Sequence, residues 1–114
     1  MRITVVAVGK LKERFWADAC AEYLKRLGAY AKVGVVVVAD VDPGRAGGVD
    51  AARAKEGDAI LAALPAGAHV VLMAIEGRQR SSEALSRRID DLALSGTSDI
   101  AFVIGGSDGV SRAV

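Results

Sequence analysis

There is one cysteine in the 114 residues, Cys20, and one histidine, His69. An intramolecular disulfide is therefore impossible, and no metal-ligand cluster surrounds Cys20 in sequence, which fits a reducing cytoplasm. Charge of one sign is missing too. Fifteen Lys+Arg stand against fourteen Asp+Glu, a net charge of +1, which excludes a polyanion binder of the basic-tail kind and confines any RNA contact to a local patch. No apolar run reaches the about 18 residues that a membrane span needs, and the opening MRITVVAVGKLK is too short in its apolar part for a secretory signal. The chain reads as soluble and cytoplasmic, with no membrane and no metal among its partners. Neither G-x-G-x-x-G nor G-x-x-x-x-G-K-[ST] occurs, so dinucleotide and P-loop phosphate binding have no support. No repeat, low-complexity segment or linker divides the chain. With 52% apolar residues there is material for one core, and a single domain over residues 1–114 is expected.

What is present is an alternation of strands and helices. Ile3 to Val8 is a β-branched run ended by Gly9, read as a strand buried on both faces. From about Glu13 to Leu27 the residues Trp16, Cys20, Tyr23, Leu24 and Leu27 recur at helical spacing, so Trp16, Tyr23 and Cys20 are expected in the core, with Gly28 as the stop. Val33 to Val41 is expected as a second strand covered on both faces, since four consecutive valines disfavour a helix. After the irregular DPGRAGG, Asp50 is expected to cap a helix running to about Leu64, with Ile60, Leu61 and Leu64 as its stripe, Gly57 as a weak point and Pro65 as terminator. A third strand spans His69 to Ile75. Ser81 or Ser82 caps a helix carrying Leu85, Ile89 and Leu92, which Gly96 ends, and Ile100 to Ile104 is the fourth strand.

This order predicts an α/β domain with a mainly parallel sheet and crossover helices. Ligands in such sheets lie beyond the carboxyl ends of the strands. Two loops there stand out, AIEGRQ after the third strand and IGGSDG after the fourth. Glycines in them would let backbone groups reach a ligand, or would simply make a tight turn ahead of a helix capped by Ser111.

Longer stretches narrow the choice. MRITVVAVGKLKERFW, AEYLKRLGAYAK, AKEGDAIL, IEGRQRSSEALS and DIAFVIGGSDGVS, in that order across the whole chain, resemble the ribosomal RNA large subunit methyltransferase H family of the knotted SPOUT methyltransferases. The resemblance implies a homodimeric enzyme that moves a methyl group from S-adenosyl-L-methionine to N3 of a pseudouridine in 23S ribosomal RNA on the ribosome. It implies a SPOUT-type α/β trefoil knot whose pocket is made by three loops, two of them present here. Carried over by position, Met73 and Gly105 contact the cofactor, and Gly77 and Gly106 belong to the same loops. Members of the family continue through a further helix, a strand, a third cofactor loop and a last helix. The knot-forming C-terminal segment is absent from this chain, which ends at Val114. The expectation is that the natural protein extends further, and that a chain ending at Val114 leaves apolar sheet uncovered, self-associates and transfers no methyl group. The alternative is a truncated, catalytically inactive α/β interaction module.

No catalytic residue is singled out. Loss of the N3 proton would be helped by a general base, and Glu76 and Asp108 are the acids in the two loops, but a solvated loop charge and a turn former account for them better. Arg78 and Arg80, with Arg87 and Arg88 beyond, form the basic group nearest the cofactor loops and are the candidates for rRNA phosphates; Lys10, Lys12 and Arg14 are a second group. His69 enters a strand at the end remote from these loops and is read as structural.

Overall fold

The structure, a computed structural model, describes residues 1–114 throughout. Strands β1 (Arg2–Val8), β2 (Lys32–Val38), β3 (His69–Leu72) and β4 (Asp99–Ile104) alternate with helices α1 (Arg14–Leu27), α2 (Pro43–Ala46), α3 (Val49–Ala63) and α4 (Ser82–Leu94). All strand pairs are parallel and the sheet order is β2-β1-β4-β3. The expected α/β fold with crossover helices is what forms. Right-handed crossovers put α3 on one face of the sheet and α1 and α4 on the other.

The register explains the core. Val6 lies opposite Val36 and Val103, and Leu72 opposite Val103, so Val6, Val103 and, two residues on along β2, Val38 share one face. Ile60 of α3 packs onto it. Val6, Ile60 and Val103 are fully buried and Val38 nearly so, ringed by Val8, Ala59, Ala63, Leu64, Leu72, Val110 and Val114. On the other face Ile100 is buried, as is Leu92 of α4.

Several expectations fail around this core, for connected reasons. Helix α1 forms over the expected span but buries none of its residues: Trp16, Tyr23 and Leu27 are 57%, 64% and 43% exposed, and Cys20 is exposed. Its apolar stripe has the right period, yet it lies beside β2, the edge strand, and Leu24 alone is half-covered. β2 itself ends at Val38, and Val35, Val36 and Val37 are 46%, 40% and 47% exposed. A run of valines fits an edge strand as well as a central one, because β-branching selects extended backbone without selecting its neighbours.

In α3 the cap is Gly48, at φ 125°, and Asp50 sits in the first turn, where its charge favours the helix N-terminus. Its buried face is Ala52, Glu56, Gly57 and Ile60, whereas Leu61 is exposed. The loop before it holds one short helix, α2, capped by the Asp42 carboxylate, which accepts from the Gly44 N–H at 3.0 Å. Ser81 caps α4, accepting from the Ala84 N–H at 3.0 Å, and Gly96 ends it at φ 96°. Gly28 ends α1 in right-handed geometry, so it supplies no left-handed cap. β3 stops at Leu72 and the remaining residues to Ile75 are loop.

Candidate cofactor and RNA site

The carboxyl ends of the four parallel strands lie along one edge of the sheet, and the loops that leave them differ in depth. After β3 the chain makes one more sheet bond, Met73 N–H to Val103 C=O at 2.9 Å, and then turns at Ala74–Gly77, where the Gly77 N–H donates to the Ala74 C=O at 3.1 Å. A side chain on Gly77 would crowd that carbonyl oxygen at 3.0 Å. This loop and the start of α4 enclose an open cavity of about 790 Å³, lined by Met73, Ala74, Ile75, Gly77, Arg78 and Arg80 among others. Met73 is 56% exposed and Ile75 wholly so. The cavity therefore offers apolar side chains and free loop backbone on one side and two guanidinium groups on the other.

Met73, Gly77, Arg78 and Arg80 are thus brought together. Gly105 and Gly106 leave the adjacent strand at the same level, since Leu72 pairs with Val103, but they do not line this cavity. Their glycines answer first to the chain itself. A Cβ on Gly105 would stand 2.7 Å from Val110 Cγ1, and one on Gly106 would stand 3.2 Å from Val8 Cγ1 and 3.3 Å from Glu56 Oε1. Gly106 and Gly109 bridge, with the Gly109 N–H donating to the Gly106 C=O at 3.1 Å and Gly109 at φ 82°. The GGSDG loop is a tight turn folded back on the sheet ends, with its first two glycines close-packed and its third in left-handed backbone.

That turn rests on α3, through Arg53 and Glu56, which the sequence reading did not single out, and through Gly57. One turn of this helix presents Arg53, Glu56 and Gly57 to the loop. Arg53 Nε donates to the Asp108 C=O at 2.6 Å, and Arg53 also approaches Asp50 at 3.6 Å. Gly57 leaves room for Ser111: a Cβ there would collide with Ser111 Oγ, which is buried and unpartnered. The weak point expected at Gly57 is a contact point, and Ser111 packs there instead of capping a helix.

Glu56 is 5% exposed and its carboxylate accepts from the Val41 N–H at 2.9 Å. Burial raises its pKa above the ordinary carboxylic value; a hydrogen bond with Asp40 and the charges of Asp40 and Asp108 act the same way, against the Val41 N–H. The signal that could have found it was weak. A charged residue at an i−4 spacing from the core residue Ile60 lies on the buried face of the helix, but only if that face is known.

The remaining candidates lie apart. Glu76 and Asp108 are both exposed, and Asp108 contributes its backbone carbonyl to the contact with Arg53. His69 is half-buried at the opposite end of the sheet, opposite Ile100. Arg87 and Arg88 are exposed on α4, and Lys10, Lys12 and Arg14 are exposed after β1. No group of three or more His, Cys, Asp or Glu side chains is placed to hold a metal ion, and no helix is long and apolar enough to cross a membrane.

Comparison with known proteins gives this geometry a family. The chain is 48% identical to the ribosomal RNA large subunit methyltransferase H of Listeria monocytogenes, over all of this chain and 74% of that protein. It is 49% identical to the protein of the same name from Lacticaseibacillus casei and 48% identical to that from Bifidobacterium adolescentis, again over 100% of this chain and 74% of the relative. The family model described as "Predicted SPOUT methyltransferase" matches residues 1–114. A four-stranded parallel sheet with glycine turns at its carboxyl edge, and identity of this extent across every residue, place the chain in the SPOUT methyltransferase family.

Proposed function

We propose that this protein methylates large-subunit ribosomal RNA, taking the methyl group from S-adenosyl-L-methionine and placing it on N3 of a pseudouridine of 23S rRNA. The observation that carries the reading is identity near one half, over the whole chain, to proteins named as ribosomal RNA large subunit methyltransferases. The cytoplasmic ribosome is then its partner, and a homodimer with a trefoil-knotted pocket is its working form. Residues 1–114 belong to a single α/β methyltransferase domain that is C-terminally incomplete relative to the family.

The residues at the strand ends fit such a cofactor. Its adenine asks for apolar contact and a few backbone hydrogen bonds, and the cavity walled by Met73, Ala74 and Ile75 supplies both at a volume in the range of small-ligand sites. Met73 would hold the cofactor from the β3 side, with Gly77 shaping the turn, and Gly105 and Gly106 would approach it from β4 through backbone. Bound there, S-adenosyl-L-methionine supplies an electrophilic methyl on sulfonium sulfur. The protein's own contribution is alignment: transfer needs the accepting nitrogen in line with the carbon–sulfur bond and water kept out. Arg78 and Arg80, both exposed on the cavity rim, would hold RNA phosphates and so fix the base relative to that line.

The test is transfer of a labelled methyl group to purified large ribosomal subunits, followed by digestion to nucleosides. Label in N3-methylated pseudouridine supports the reading. Label in another nucleoside refutes the proposed target. Cofactor binding without any transfer would favour a non-catalytic interaction module.

A further inference from the structure

Aromatic side chains are scarce in this chain, and nearly all of them face solvent. Of two Phe, two Tyr and one Trp, only Phe102 of β4 is half-buried; Phe15, Trp16, Tyr23 and Tyr30 are exposed, and all four belong to α1 or the turn that follows it. One exposed ring is ordinary, but four on one element make a surface. The Phe15 and Trp16 ring centroids are 5.1 Å apart. Tyr23 lies about 10 Å further along the helix, on the same stripe as Trp16, and the Arg26 guanidinium sits over its ring at 5.7 Å.

Positive charge gathers on the same segment. Residues 10–32 hold six Lys and Arg against three Asp and Glu, a net +3 in a chain whose total is +1. Arg14 and Arg26 face Asp18 and Glu22 at 3.9 and 3.1 Å, whereas Lys10, Lys12, Lys25 and Lys32 have no acid within ion-pair distance. Rings set among unpaired lysines do not match the core of a protein–protein contact, which is rich in aromatics and depleted in Lys. They match a surface for single-stranded nucleic acid, with π-faces for bases and cations for phosphates. Bases inside a duplex are stacked on both sides already, so such rings reach only nucleotides splayed out of a helix.

The fold puts this surface beside the candidate cofactor cavity. Val6 of β1 and Leu72 of β3 both pair with Val103, so the two strands end level on either side of β4, about 10 Å apart at the usual strand spacing. Lys10 and Lys12 follow the first of these ends and Met73 the second, and α1 and α4 cover the same face of the sheet. We infer that the face of α1 from Lys10 to Tyr23 is a base-stacking surface for unpaired nucleotides of the RNA substrate, with Trp16 as its central ring and Lys10 and Lys12 as its phosphate contacts nearest the cavity. The inference deepens the ribosomal RNA reading above and rests on it for the RNA being ribosomal.

Trp16 is the only tryptophan, so its fluorescence reports on this surface alone. The experiment titrates the full-length protein with an oligouridylate of about 12 nucleotides, within the site sizes of single-strand binders, and with a GC-rich RNA duplex of the same length. Affinity is read in parallel from the anisotropy of the labelled RNA. The single strand should quench Trp16 emission and the duplex should leave it unchanged. Trp16→Ala should weaken single-strand binding about tenfold, as the loss of one stacked base does, and Trp16→Phe should keep most of the affinity. Changing Lys10 and Lys12 together to alanine should lower the slope of log affinity against log salt by about 1.4, the value for two phosphates of a single strand. On ribosomes Trp16→Ala should raise KM while kcat and S-adenosyl-L-methionine affinity stay as in the wild type, because the stack binds substrate and transition state alike. Emission unmoved by saturating single strand, equal quenching by the duplex, or undiminished binding by Trp16→Ala overturns the assignment. So does a Trp16→Ala protein that sediments as a monomer where the wild type is a dimer, which would give the face to a second copy of the chain. A wild type quenched by the single strand that transfers no methyl group to ribosomes refutes the ribosomal RNA reading and leaves the stacking surface standing.

Discussion

Gly105→Ala is the smallest change that separates the two reasons a glycine can stand at the end of β4. Its φ lies outside the left-handed region, so alanine meets no backbone strain there. With open space around it, the change would stabilise the fold by about 0.4–1 kcal/mol by restricting the unfolded chain. Space is not open: the new methyl would stand 2.7 Å from Val110 Cγ1 and 3.4 Å from the Gly109 carbonyl. Carbon atoms pack at about 3.5–4.0 Å, so a shift of about 1 Å is forced on a valine that packs against the Val6–Ile60 core. Overpacking of this kind costs about 1–3 kcal/mol. The net expectation is destabilisation of about 1–2 kcal/mol, opposite in sign to the unhindered case. With a urea m-value of about 1.5 kcal/mol/M, the midpoint should fall by about 1 M. Val110→Ala removes the colliding methyl and should lose stability alone, yet in the double mutant the Gly105→Ala cost should vanish, a favourable coupling of about 1 kcal/mol or more. A Gly105→Ala chain as stable as the wild type, or additive costs in the double mutant, would refute the close packing of this turn. A bulkier Gly105→Val meets the same collision, so its effect on ligand binding cannot be read without this control.

The other expected outcomes are more briefly stated. Because the folded pKa of Glu56 is raised, wild-type stability should be greatest below the ordinary glutamic acid range and decline as pH rises through the folded value; Glu56→Gln should flatten that part of a urea-midpoint profile and overtake the wild type above it. Ser81→Ala removes the α4 cap and should cost about 0.5–2 kcal/mol in thermal or urea unfolding, with Ser81→Asp restoring most of it. Changing both Arg78 and Arg80 to alanine should weaken methylation of ribosomes and lower its salt dependence by about two phosphate contacts, with cofactor affinity unchanged on calorimetry; equal activity across a salt series would remove them from the RNA surface.

The parts of the fold legible in sequence are those set by local period and punctuation. Ser81 and Gly96 bracket α4 because a hydroxyl acceptor and a left-handed glycine are chemical requirements of helix ends, independent of what the helix packs on. The alternation of strands and helices along the chain was legible, and the parallel sheet followed from crossover length, though not the order of strands within it. Burial was not legible where it depends on position in the sheet. Val35 to Val37 read as interior and stand at the edge, and the Trp16–Tyr23 stripe of α1 lies over that same edge. A single sequence carries the pattern of an apolar face and says nothing of which partner covers it.

The same limit shaped the reading of the site. Loops were found because glycine clusters and strand ends coincide, and the β3 loop does bring Met73, Gly77, Arg78 and Arg80 around one cavity. The support beneath the second loop was missed, because it is built from residues 50 to 55 positions away along the chain: Glu56 against Gly106, Gly57 against Ser111, Arg53 against Asp108. On a helical wheel, Glu56 four residues before Ile60 looks like a polar interruption of a weak apolar stripe. In the folded chain it is the reason Gly106 cannot carry a side chain without pushing on either Val8 or a carboxyl oxygen. Two glycines that sequence alone assigns to ligand approach are thus already required by the protein's own packing, and that packing sets the turn before any ligand arrives. A ligand that contacts this turn through its backbone meets groups already placed by α3, so little of its binding energy goes into ordering the loop. The consequence for engineering is specific: changes to the face of α3 at Arg53, Glu56 and Gly57 should alter the glycine turn more than substitutions of the exposed Ser107, which the structure leaves free of any side-chain hydrogen bond.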